Sequence, residues 1–474
     1  GAEGLATVGG DLLIYENPHL LNLNGLEGLT AIGGKLEINE NNALVSLMNL
    51  AGEATIGGEL LIYENPALTS LVGLEGVTSI VGDITIRDNN SLLGLEGLEN
   101  IDPGSVANLY IRENANLYSC AAQAICDYLS DPRGVVEICR NAPGCNSPGE
   151  IASECGFPMP CLPYGNYYFF HQAEIDNFPL HYPGCTHLAG NVPIIGGDIT
   201  NLLGLSAINS IEGRLRIHSN PELSSLEGLN GLDSIGGYFQ ITANYSISNL
   251  EGLEELKYVG GSLRIHYNPE LTSLEGLDGL DSIGSNLEIS SNTSISNMEG
   301  LEELKYVGGS LEIDGNYAQV NLEGLDNLAS IGGSFSIVKC NALSTLEGPE
   351  NLVSIGGDLR IGYYFSNQGN NSLTSLTGLD KLTTIGGDLY IEDNASLGSL
   401  SGIENLATIG GSLIIGDEKG HGNDALLSLE GLDGLISIGG DLSIYQNDAL
   451  ESISGPGELS SIGGNFGIID NDEL

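Results

Sequence analysis

The sequence predicts a mainly β chain wound as a parallel β-solenoid, with about 24 residues in each coil. Three observations predict it. A short phrase of the type Ser-Ile-Gly-Gly returns at a fixed interval, its Ile or Val falling at Val8, Ile32, Ile56 and Ile80 and again from Ile211 through Ile235, Val259, Ile283, Val307 and Ile331 to Ile355. Apolar residues alternate after each phrase, as in "SLRIHYN" (262–268). An Asn stands nine residues after almost every anchor. A fixed period with insertions confined to one place in the turn is the mark of stacked coils, and the extra residues fall in "YYFSNQGN" (363–370) and "DEKGHGN" (417–423).

Each part of the coil has a physical reason. The Leu-x-Ile alternation is a strand with one buried face. The Leu-x-x-Leu-x-Gly-Leu-x-x-Leu stretch supplies apolar residues that one coil cannot bury alone but that stacked coils share. The Gly-Gly pair is expected to supply backbone angles that let the chain turn a corner. The recurrent Asn is expected to point inward and to bond backbone groups that would otherwise be buried unpaired. It occupies Asn17, Asn41, Asn65 and Asn89, then Asn220, Asn244, Asn268, Asn292 and Asn316, and after the insertions Asn370, Asn394, Asn423, Asn447 and Asn471. Five glycosylation sequons, at Asn89, Asn244, Asn292, Asn370 and Asn394, all use these positions, so burial would bar them from carrying glycans. Cys340 takes an Asn position and reads as a buried free thiol.

The pattern Leu-x-Ile-x-x-Asn-x-x-Leu, in segments such as "GGSLRIHYNPELTSLEGL", resembles the receptor L domain and, with one residue added, the leucine-rich repeat. That resemblance covers most of the chain outside roughly 120–185 and implies a right-handed solenoid of the kind found in insulin- and epidermal-growth-factor-type receptor ectodomains and in secreted bacterial surface proteins. It implies binding or adhesion without naming a ligand.

The expected organisation is a first stack at 1–118, a Cys-rich capping and linking segment at 119–190, and a longer stack at 191–474. Cys120, Cys126, Cys139, Cys145, Cys155, Cys161 and Cys185 cluster there, a density that points to disulfides and an oxidising, extracellular setting. Cys161–Cys185 is the favoured pair. Seven is odd, so one thiol stays free, reaches Cys340 or joins another chain. His181, Cys185 and His187 are a weaker zinc alternative, since no Cys-x-x-Cys pair exists. Helices are expected within 119–132, capped by Ser119, and within 171–178.

A net charge of −49, from 63 acidic and 14 basic residues, sets aside nucleic acid and anionic membranes as partners. No apolar run is long enough to span a bilayer. Nucleophile elbows, Walker loops and zinc-protease motifs are missing, and the acids repeat by position, so no enzyme and no cofactor is expected. The acids form a row at Glu227, Glu251, Glu275, Glu299, Glu323 and Glu347, read as solvated, with calcium as the one cofactor it could attract.

The candidate contact surface is the outward strand face. Arg87, Arg112, Arg216, His218, Arg264, His266 and Arg360 stand there with Tyr110 and Tyr390, as candidates for a protein or glycan ligand. The absence of tryptophan argues against a sugar-stacking platform. Both termini fall partway round a coil, and apolar coil edges favour end-to-end contact. The expectation is therefore a structural or adhesive protein assembling head to tail into filaments, the alternative being a piece of a monomeric ligand-binding ectodomain.

Overall fold

The computed structural model describes residues 2–48, 50, 54–362 and 369–474. Most of the first expected insertion, 363–368, lies outside the described residues. The chain is a parallel β-solenoid divided into two compact units, Gly1–Val192 and Pro193–Leu474.

In the first unit the strands Leu12–Tyr15, Leu36–Asn39, Leu60–Tyr63, Gly82–Arg87, Val106–Arg112 and Val136–Cys139 form one six-stranded parallel sheet. The sheet runs past residue 118, so the boundary expected there falls inside continuous strand pairing. Beyond it come three helices: α1 (Gln123–Ser130), α2 (Pro148–Glu154) and α3 (Gln172–His181). Ser119 does not cap α1. Its N-cap is Ala122, and the Ser119 hydroxyl instead donates to Glu96 at 3.4 Å. Disulfides Cys120–Cys145, Cys126–Cys155 and Cys161–Cys185 tie these helices, and Cys139 is left free and buried. With Cys185 bonded, His181, Cys185 and His187 do not form a metal set, and no group of three or more metal-ligating side chains converges among the described residues.

The second unit repeats one coil. Strands such as Leu215–His218, Phe239–Thr242, Leu263–His266 and Leu287–Ser290 pair in register, each residue facing its counterpart in the next coil. Within the coil 258–280, Val259, Leu263, Ile265, Leu271, Leu274, Leu277 and Leu280 are all fully buried. Burying such side chains stabilises by about 1.5–3 kcal/mol each before the entropic cost of ordering the chain.

The Asn side chains bind the coils together. Asn268 donates from Nδ2 to the Ile241 carbonyl (3.0 Å), its own coil's His266 carbonyl (3.0 Å) and Asn292 Oδ1 (3.1 Å). Its backbone N–H also donates to Asn292 Oδ1, at 3.0 Å, while its own Oδ1 accepts the backbone N–H of Asn244 at 3.0 Å. Asn41, Asn65, Asn89, Asn220, Asn244, Asn292, Asn316, Asn370, Asn394, Asn423 and Asn447 take the same inward place, all at 0% exposure, and each donates to a strand carbonyl of the coil before; Asn17, in the first coil, is exposed. Asn114 and Asn141 extend it into the Cys-rich region, where Asn146 accepts the last bond. At the break, Cys340 keeps the backbone bond to Asn370 (3.0 Å), and buried Gln319 accepts from Asn316 at 3.4 Å.

The Gly-Gly pair works differently from the expectation. Neither Gly260 nor Gly261 has positive φ; a Cβ on Gly260 or Gly284 would collide with the carbonyl of the coil before, so close approach requires glycine. Positive φ belongs to the later glycine of the coil, such as Gly276 (φ 108°), and to the residue that ends the strand just before most of the Asn positions, such as Tyr267 (φ 53°) and Glu64 (φ 57°); in the two coils with insertions it falls at Gly362 (φ 84°) and Gly416 (φ 76°).

The ladder gives the first prediction. Asn268→Ala strands buried partners on both neighbouring coils and should cost the second unit about 3 kcal/mol or more. Chemical denaturation followed by circular dichroism measures it, and a loss below about 1 kcal/mol would contradict a cohesive role for the amide.

Candidate functional site

The outer strand face is built by alternation: while Leu215 and Ile217 point in, Arg216 and His218 point out. The candidate residues fall into three groups. In the first unit, Arg87 pairs with Asp88 (2.6 Å) and Glu64 (3.2 Å) and lies 4.4 Å above the Tyr63 ring. Nearby Arg112 reaches Glu137 at 3.3 Å, and half-buried Tyr110 faces Glu137 in register. In the second unit, Arg360 pairs with Glu392 (2.8 Å) and stacks on Tyr390 (3.8 Å), whose hydroxyl donates to Asp388 (2.7 Å).

The third group occupies three adjacent coils. Arg216 faces Gln240, which faces Arg264; His218 faces Thr242, which faces His266. Arg264 Nε is 3.0 Å from Glu288 Oε2, though not aligned as a hydrogen bond. His266 Nδ1 is 3.1 Å from Ser290 Oγ. Burial lowers both imidazole pKa values, reinforced by Arg216 at His218, while at His266 Glu288 opposes the shift and Arg264 adds to it. Residue type alone does not single out Gln240, Thr242 and Glu288, although counting 24 from Arg216 and His218 reaches the first two.

A second polar row edges this face. In several coils the residue at the end of the Gly-Gly corner accepts the next coil's N–H, as in Ser310 to Asn286 Oδ1 (3.0 Å), Asp358 to Ser334 Oγ (3.0 Å) and Asp388 to Asp358 Oδ1 (2.8 Å). The acid two residues after each positive-φ glycine also bonds backbone, as Glu254 does to Gly252 N (2.9 Å). Much of the acidity is thus structural. The row from Glu227 to Glu347 is exposed throughout.

Coil, ladder and surface together define a parallel β-solenoid whose repeat pattern is similar to that of the receptor L domain and the leucine-rich repeat. The Receptor L domain family matches residues 184–278, which include the Arg216–His266 group. Among solved structures, the chain is similar to a TLR13–ssRNA13 complex (13% identity, covering 95% of this chain and 84% of that one, TM-score 0.27). It is also similar to a leucine-rich repeat protein from Bacteroides ovatus ATCC 8483 (15% identity, 64% and 79% coverage, TM-score 0.20). No curated protein matches. No described helix is long and apolar enough to cross a membrane.

Two predictions follow from buried titratable groups. Burial pushes the Cys139 and Cys340 thiols up to about 12, so neither should react with a thiol reagent at pH 8 until denaturant is added. Labelling with iodoacetamide and counting adducts by mass spectrometry checks this.

Burial also raises Glu392 to about 7, against the opposing pull of Arg360. A carboxyl raised in the folded state stabilises it below its unfolded pKa and loses that contribution as pH rises through 7. Glu392→Gln should therefore flatten the stability profile between pH 5 and 8 by about 2 kcal/mol. Parallel profiles for the two proteins would exclude Glu392 as the titrating group.

Proposed function

We propose that this chain is an extracellular, non-catalytic binding scaffold whose ligand sits on the outer strand face. One observation carries the reading: in a chain of net charge −49, five of the eight arginines stand at outward positions of sheet strands, Arg87 and Arg112 in the first unit and Arg216, Arg264 and Arg360 in the second. Random placement in so acidic a surface would scatter them. Three disulfides support an oxidising, extracellular setting.

Peptide and glycan arrays test it. Signals should vanish when Tyr110, Arg216 and Tyr390 are all changed to Ala, and persist when Glu275 of the exposed row is changed to Gln. Signals that respond the other way, or none on either array, would remove the strand face as the binding surface.

A second reading, assembly of copies end to end into an adhesive filament, has its own observation. Phe466 and Ile468 are 54% and 39% exposed, whereas their register partners Leu442 and Ile444 are 3% and 0%. A further coil of the same type would cover them, supplied either by more of the same chain or by a second copy. Electron microscopy with calcium and with chelator should then show filaments that Phe466→Asp abolishes, and loss in chelator alone would give the glutamate row a calcium role. Discrete particles under every condition would leave only the first reading.

A further inference from the structure

The unmatched polar atoms of the outer face are not evenly spread. Among the described residues, eight buried side-chain polar atoms lack a hydrogen-bond partner, and four of them, Arg216 Nε, Thr242 Oγ1, Arg264 Nε and His266 Nε2, lie on three consecutive coils. Arg216 is distinctive in a second way. The other strand arginines, Arg87, Arg112, Arg264 and Arg360, each have a carboxylate partner, whereas Arg216 has none among the described residues, in a chain with 63 acids. Leaving a buried donor without a partner is unfavourable, and a ligand bonding it would recover that cost.

We propose that Arg216, Gln240, Thr242 and Arg264 bind an acidic peptide segment of a partner protein, with a carboxylate forked by Arg216 and a second reaching Arg264. The inference rests on the strand-face reading and adds the ligand's chemistry. A planar guanidinium presents paired donors that match a carboxylate's two oxygens. Arg216 and Arg264 stand two coils apart, roughly 10 Å at the spacing of parallel strands, a distance that side chains along an extended peptide span. Gln240 between them offers an amide to the peptide backbone. The chain's overall negative field opposes the encounter, but salt near 0.1 M screens it beyond about 10 Å, while contacts at the patch are within that range. A face without tryptophan lacks the strongest ring for stacking an acidic sugar, which favours peptide over glycan.

Fluorescence anisotropy with labelled hexaglutamate, at neutral pH and 0.1 M NaCl, tests the proposal on the whole chain. Saturable binding is expected, weakened roughly tenfold or more by Arg216→Gln. Lys381→Gln makes the same charge change away from the patch and should leave the affinity unaltered. Arg216→Lys keeps the charge but removes the fork, so it should also weaken binding; it serves if the Gln variant fails to match the wild-type melting curve. Equal weakening by Arg216→Gln and Lys381→Gln, unchanged affinity in Arg216→Lys, or no saturation would overturn the assignment. Saturation by labelled polygalacturonate alone would make the ligand a glycan and overturn the peptide. Should hexaglutamate fail while array signals still depend on Tyr110, Arg216 and Tyr390, the strand face stands and only the ligand class falls.

Discussion

The asparagine ladder is the interaction on which the rest of this structure depends. A coil must leave its strand, turn and begin its apolar arc within a few residues, and in coils without an insertion the residue before the Asn does this in the left-handed region, with φ of 52° to 58° even where it is not glycine. That conformation costs a side-chain-bearing residue about 1 kcal/mol or more. The amide offsets it by bonding the strand carbonyl of the coil before, its own turn and the Asn of the coil after. It also bonds backbone polar groups that have no access to water there. Because each amide both donates and accepts across coils, it fixes register as well as pitch, and the Leu and Ile rows then superpose.

Once register is fixed from within, the outward positions are free of structural duty. The acids show how little of the charge is actually uncommitted. Those following the positive-φ glycines bond backbone, those after Gly-Gly bridge coils, and several on the strand face are held by arginine. An acidic composition therefore coexists with few strained carboxyl groups. Glu392 is the clearest exception, buried beside Arg360 and raised toward neutrality.

What could be read in the sequence follows from what repeats. Period, alternation and the Asn position are each restated in coil after coil, so noise at any one coil does not hide them. Features that occur once were harder. Helix α2 went unseen although Ser147-Pro148-Gly149-Glu150 is a helix start, with Ser147 accepting from Glu150 N at 3.1 Å; the surrounding cysteines and prolines masked it. Asn114 and Asn141 were passed over because their spacing of 25 and 27 departs from the period. The role of Gly-Gly was misjudged for a different reason: contact between coils is a property of neighbours that local backbone preference does not contain. Of the surface, alternation revealed which residues point outward, but not which arginines already hold a carboxylate, since partners such as Glu392 sit 32 residues away.

The chain's own near-duplicate shows where variation is tolerated. Residues 246–268 and 294–316 match except at four positions. One change is Leu250 to Met298, a swap of similar volume between fully buried residues. The other three turn Arg264, His266 and Tyr267 into Glu312, Asp314 and Gly315. Two of these stand on the outer strand face, and the third is the left-handed turn residue beside it. Between copies, then, the core and the ladder are held while the outer face reverses its charge within two coils. Apart from the volume-conserving Leu250–Met298 swap, every change falls on that face or beside it. The surface thus presents distinct chemistry at successive heights of one rigid ladder, the cationic patch at Arg216 and Arg264 being followed by the acids from Glu288 to Asp314.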